Sequence, residues 1–284
     1  MTSPLPAWAW QFEPGHLSAV QGMGLDSPIT PAWAFEGATG RGIRVAVVDS
    51  GIEAGHPLVG EVQGGVVIEP EGNGVRYVEG SHEDLYGHGT ACAGIIRALA
   101  PECELYSVRV LGERLTGKGA VFAAGVQWAI DQGMHVVNLS MSTRRREMFS
   151  AFHRIADQAY FSGTVLVSAV NNVPATSYPS EFASVISVAS GPGEGPFALS
   201  YNPRPPVEFG APGTDVELAW LGGSTIRASG NSFAAPRVTG MVALMRSKHP
   251  GLTPFEVKTV LRAVAANAAP DTTTDTTTAG PQQG

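Results

Sequence analysis

Cysteine is scarce in this chain: Cys92 and Cys103 are the only two among 284 residues. Two thiols make no disulfide framework, which excludes the small stapled folds of secreted mini-domains. Charge is also sparse. Charged residues make up 15% of the chain, acids outnumber bases 25 to 18, and the net charge is −7. That balance offers no basic surface for nucleic acid or an anionic membrane, and neither is expected as a partner. No run approaches the roughly 18 apolar residues of a spanning helix. The opening Met1-Thr2-Ser3-Pro4-Leu5-Pro6-Ala7-Trp8 lacks the basic and apolar regions of a secretory leader, so the sequence reads as cytoplasmic. Nothing in it specifies an oligomeric state, and no internal repeat stands out.

What is present is a large apolar fraction, 43%, enough at this length for one sizeable core. Residues 1–27 are rich in proline, glycine and aromatics without a sustained period and read as an irregular arm. A folded domain is expected over 28–267, and 268–284 is a low-complexity tail that reads as disordered. Within the domain, Thr30 followed by Pro31 signals a short helix over 30–37. The β-branched run over 42–49 has the look of a strand buried on both faces, as in parallel sheets covered by helices. Further strands are expected over 105–110, 135–140, 164–170 and 185–189, and helices over 120–132, 146–161, 232–248 and 253–266. That alternation implies a doubly wound α/β fold with a mostly parallel sheet and helices on both faces.

Three short stretches carry chemistry. Ser232 stands where Gly230-Asn231-Ser232-Phe233-Ala234-Ala235-Pro236 turns from small polar residues into a helix. Its hydroxyl can be exposed there, and its amide is among the helix's unpaired first-turn donors, which suit a nascent anion. Asp49 ends its strand, where open parallel sheets gather their chemistry. His88 lies between Gly87 and Gly89, which leave the imidazole open. Taken singly, these are a capping serine, a turn aspartate and a loop histidine.

Together they resemble the subtilisin-like serine proteases (subtilases). Val47-Val48-Asp49-Ser50-Gly51-Ile52, Gly87-His88-Gly89-Thr90 with Ala93-Gly94, and the segment around Ser232 match the family's three motifs in its order. The resemblance implies a serine endopeptidase acting on peptides or proteins through an acyl-enzyme, with no cofactor. Ser232 would be the nucleophile, His88 the general base and Asp49 the group that orients it. Val165-Leu166-Val167-Ser168-Ala169-Val170-Asn171-Asn172 resembles the strand ending in the oxyanion asparagine. The better register gives that role to Asn172, with Asn171 the alternative. The resemblance also places substrate pairing along Gly117 and Gly119 on one side and Ser140, Met141 and Ser142 on the other. The family commonly has glycines where Ser142 and Thr143 stand, which implies a narrower primary pocket. Arg144-Arg145-Arg146 is either a solvated helix start or a basic rim favouring acidic substrate residues.

Departures from the family are informative. The chain passes from Ala100 through Pro101-Glu102-Cys103 into the next strand without room for a common calcium loop, so no metal is expected. Cys92, four residues after His88, resembles the free cysteine of the proteinase K branch, and reads energetically as a small buried hydrophobe. Residues 1–27 are shorter than the leader and prodomain of secreted relatives and match in length the extension of intracellular subtilisins. Such an arm would either pack on the domain or shield the site. Two further functions stay open beside general proteolysis: trimming of a dedicated precursor, and peptide binding on a catalytically silent fold.

Overall fold

The structure, a computed structural model, describes residues 28–80 and 82–268. The expected arm, and the expected tail from residue 269 onward, lie outside the described residues. Helix α1 (Pro31–Phe35) starts as the sequence predicts, with the Thr30 hydroxyl accepting the Trp33 amide at 3.1 Å. The β-branched run forms β1 (Arg44–Asp49). After it come a hairpin, β2 (Gly64–Glu71) and β3 (Gly74–Glu79), then α2 (His88–Leu99) and β4 (Glu104–Arg109). Alternation continues through α3 (Gly119–Asp131), β5 (Val136–Leu139), α4 (Phe149–Ser162), β6 (Val165–Ala169) and β7 (Ile186–Ser190). Four short strands follow: β8 (Ser200–Tyr201), β9 (Phe209–Ala211), β10 (Val216–Trp220) and β11 (Ser224–Ala228). Helices α5 (Asn231–Lys248) and α6 (Pro254–Ala263) end the described chain.

Nine strands make one sheet in the order β3-β2-β4-β1-β5-β6-β7-β9-β8. All neighbours are parallel except at the edges, where β3 and β8 run antiparallel. Burial on both faces explains the composition of β1. Val45 and Val47 pack with α2, α5 and α6, whereas Ala46 and Val48 pack with α3 and α4. The doubly wound α/β fold expected from the sequence is therefore the observed one. Because β4 and β5 flank β1 on opposite sides, the chain reverses its winding there, and the crevice at such a reversal opens at the carboxyl end of the strand. Asp49 is the last residue of that strand.

Two boundaries differ from expectation, each for a local reason. Paired backbone bonds between Thr143 and Tyr178, 2.8 and 2.9 Å, hold the chain extended, so the expected helix at 146 begins as a tight turn over Arg146–Met148. α6 has the expected Thr253 cap, completed by Glu256 as a capping box, but stops at Ala263. Beyond it the Ala266 amide bonds to the Leu199 carbonyl at 2.8 Å and draws the chain back to the sheet edge.

Candidate active site

Glycine brings the histidine to the aspartate. Gly87 has φ +108°, and a methyl group there would strike the Trp220 ring. A methyl group at Gly89 would land on the Gly51 carbonyl oxygen, so the first turn of α2 can press directly on the end of β1. The amides at the helix start need acceptors, and Asp84 serves those of Gly87 and Thr90. Its Oδ1 accepts from the amides of Tyr86 and Gly87 (2.9 and 2.8 Å), and its Oδ2 from the Thr90 amide and hydroxyl (2.9 and 2.7 Å). The Gly89 amide donates to Ser50 Oγ at 3.1 Å. Sequence reasoning missed Asp84. The available signal was an acid four residues ahead of the histidine, within capping range of its helix.

His88 starts α2 with its Nδ1 2.9 Å from both Asp49 oxygens. Asp49 is fully buried, and its Oδ1 also accepts the Ser50 amide at 2.8 Å. That hydrogen bond places the Nδ1 proton toward the carboxylate and leaves Nε2 as an acceptor. Burial, the largest single influence, pushes the His88 pKa down, but the Asp49 carboxylate and the neighbouring Cys92 together outweigh it and raise the pKa well above 6.5. Phe233 tilts against the imidazole, ring centroids 5.4 Å apart.

Ser232 opens α5 and shares a cleft of about 360 Å³ with His88 and Asn172. Its hydroxyl makes no hydrogen bond among the described residues, and catalytic links of this kind often tighten only when substrate binds. Its amide has no acceptor among the described residues. Pro236 lies four residues on and has no N–H for the Ser232 carbonyl. The Cys92 thiol lies 3.8 Å from that orphaned oxygen and 3.2 Å from Ser140 Oγ.

The two asparagines are told apart by their partners. Asn172 receives the Asn231 amide at 3.0 Å, and because an amide can only donate, the receiving atom is Oδ1. Nδ2 of Asn172 then donates to nothing among the described residues, on a residue that lines the cleft. Asn171 is occupied elsewhere, donating to the Thr176 carbonyl at 3.0 Å, and does not line the cleft. Asn231 joins the two segments, accepting the Ser190 amide and donating to the Val170 and Asn171 carbonyls. It too was missed as a positioning group.

Gly117, Gly119, Ser140, Met141 and Ser142 all line the same cleft, together with Thr143. The amides of Gly117, Gly119 and Ser142 donate to nothing among the described residues, which leaves them open to an extended ligand. Asp49, His88 and Cys92 hold potential metal-ligating atoms within 4.8 Å of one another, the one such grouping among the described residues. In the present geometry a hydrogen bond between His88 and Asp49 occupies that space. Where a calcium loop would interrupt it, α2 instead runs unbroken to Leu99.

A sequence-family model described as the Subtilase family matches residues 40–282. This chain belongs to the subtilase family. It is 31% identical to Subtilisin Savinase of Lederbergia lenta over 86% of this subtilase and 91% of that protein. Subtilisin E of Bacillus subtilis is 32% identical, over 85% of this subtilase but 65% of the relative. A thermostable alkaline protease of Halalkalibacterium halodurans is 34% identical, over 78% and 62% respectively, so the match leaves more than a third of that relative's length uncovered. Among solved structures, a cold-adapted subtilisin-like serine proteinase superposes with a TM-score of 0.65 over 83% of this subtilase and 87% of that chain, at 24% identity, which shows a shared fold.

The network under α2 gives a stability test. In Asp84→Asn one carboxylate oxygen becomes an amide nitrogen facing backbone donors. Each donor so stranded costs about 1–3 kcal/mol, and the urea midpoint of the variant should fall accordingly. An unchanged midpoint would show that the loop is held by something other than Asp84.

Proposed function

We propose that this subtilase is a serine endopeptidase in which Asp49, His88 and Ser232 form the proton relay. The observation that carries the reading is the buried Asp49–His88 pair, at 2.9 Å, with His88 lining a cleft it shares with a serine at a helix start. Family membership supports it. His88 removes the proton of Ser232 Oγ as that oxygen attacks the scissile carbonyl, and later returns a proton to the leaving amine. The developing oxyanion is received by the Ser232 amide and Asn172 Nδ2. A peptide or protein substrate lies extended between Gly117–Gly119 and Ser140–Ser142, held by main-chain hydrogen bonds. Cys92 and Cys103 are both free and buried, which fits a reducing, cytoplasmic setting. Among the described residues no helix is long and apolar enough to cross a membrane.

The test is cleavage of a diverse peptide library by the purified chain, with mass-spectrometric readout and Ser232→Ala as control. Internal cuts that vanish in the control support the reading, and folded protein that cuts nothing refutes it. Asn172→Ala refines the assignment. Removing the corresponding donor from a subtilisin lowers kcat about 10²–10³-fold, and the same loss with little change in KM is expected here. Were Asn171→Ala to give the larger loss, the oxyanion register would lie one residue earlier.

A further inference from the structure

The cleft carries one sign of charge. Its ionisable lining residues are His88, Lys118 and Arg145, with no carboxylate among them, in a chain of net charge −7. Lys118 and Arg145 stand on opposite walls. One wall leaves the catalytic end where the Val110 and Leu111 amides bond to the Asp49 carbonyl, and ends at Thr116-Gly117-Lys118-Gly119. The other leaves it at Ser140, whose hydroxyl meets Cys92, and ends at Arg145 and the turn to Met148. The walls converge at the far end, where a methyl group on Gly119 would lie 2.9 Å from Met148 Sδ. Both cations therefore flank the Gly119–Met148 contact where the two walls converge.

Neither cation is committed to a partner. Lys118 forms no ion pair among the described residues. Arg145 reaches Glu147 at 3.4 Å, with side chains 73% and 65% exposed, a contact too solvated to hold the guanidinium.

Resting on the endopeptidase reading and deepening it, we infer that Lys118 and Arg145 select an acidic side chain on the acyl side of the substrate, away from the scissile bond. Glutamate or aspartate there gains ion pairs with the cations of both walls, whereas glutamine offers them only an uncharged acceptor. The cations act on substrate choice, and the chemistry at Ser232 is left as it was.

The experiment uses the full chain and matched fluorogenic peptides that carry Glu, Gln or Lys at each acyl-side position in turn. At one position Glu should exceed Gln in kcat/KM by about threefold to tenfold at low salt, and the ratio should shrink as salt rises. Lys118→Gln and Arg145→Gln should each reduce the ratio, Arg145→Glu should turn it toward Lys, and Arg154→Gln, on the exposed face of α4, should leave it alone. Equal rates for Glu and Gln peptides at every position would overturn the inference while leaving the protease intact. Should no peptide be cut, the endopeptidase reading fails, but anisotropy of the same labelled peptides on Ser232→Ala still measures the preference. Equal Kd values there would overturn it independently.

Discussion

Ser232→Ala should lose turnover by about 10⁶-fold in kcat while keeping its fold, the scale of loss seen when a triad serine is removed from a subtilisin. Alanine is tolerated in the first turn of a helix, so the melting temperature should barely move. The hydroxyl is hydrogen-bonded to no described group, so its removal strands no partner. All of the effect should then lie in chemistry. A fluorophosphonate should label the parent chain once, at Ser232, and should fail to label the variant. His88→Ala should abolish labelling as well, because the neutral alcohol is a weak nucleophile without a base beside it. Mapping of the adduct to another serine, or residual turnover within tenfold of the parent, would remove Ser232 from its role. Tight peptide binding by the parent without turnover or labelling would instead indicate a silent binding fold.

The sequence revealed chemistry better than scaffold, and the reason is local. Around Ser232 and His88, close approaches from other segments require small residues at neighbouring positions, as at Gly87 against Trp220 and Gly89 against Gly51, so the requirement is written in nearly consecutive letters. β1 was equally legible because both its faces are buried and its composition is uniform. The β2–β3 hairpin was not. Pro70 and two leading glycines break any strand pattern, and β3 is an edge strand with exposed side chains. β8 and β9, two and three residues long, hold no period to read. Asp84 escaped notice because its role depends on four donors converging in space. The contact that distinguishes Asn172 from Asn171 likewise comes from 59 residues away, the Asn231 amide. Lys118 and Arg145 are far apart in sequence and come to line one cleft only through the fold, where Gly119 abuts Met148.

Asp49→Asn should lower kcat about 10⁴-fold, the loss known for the equivalent change in a triad protease, and should also move the pH profile. The structure says why an isosteric change does so much. His88 Nδ1 faces both Asp49 oxygens at 2.9 Å, and Oδ1 is also held by the Ser50 amide, which accepts no substitute but an oxygen. The new amide nitrogen must then take the Oδ2 place, opposite the Nδ1 proton. Two donors cannot face each other there, so the imidazole proton moves to Nε2, where an acceptor is needed for Ser232. The pH effect has a definite sign. The working base is neutral His88, and the Asp49 charge holds its pKa well above 6.5, so the acid limb of kcat/KM in the parent lies on the alkaline side of that value. Without the carboxylate only the neighbouring Cys92 is left to oppose burial, and burial lowers a histidine pKa. The residual activity of the variant should therefore reach its plateau at a lower pH than the parent does. Parallel pH series on the two proteins decide the matter. An acid limb that stays in place would show that a group other than Asp49 sets the histidine's charge.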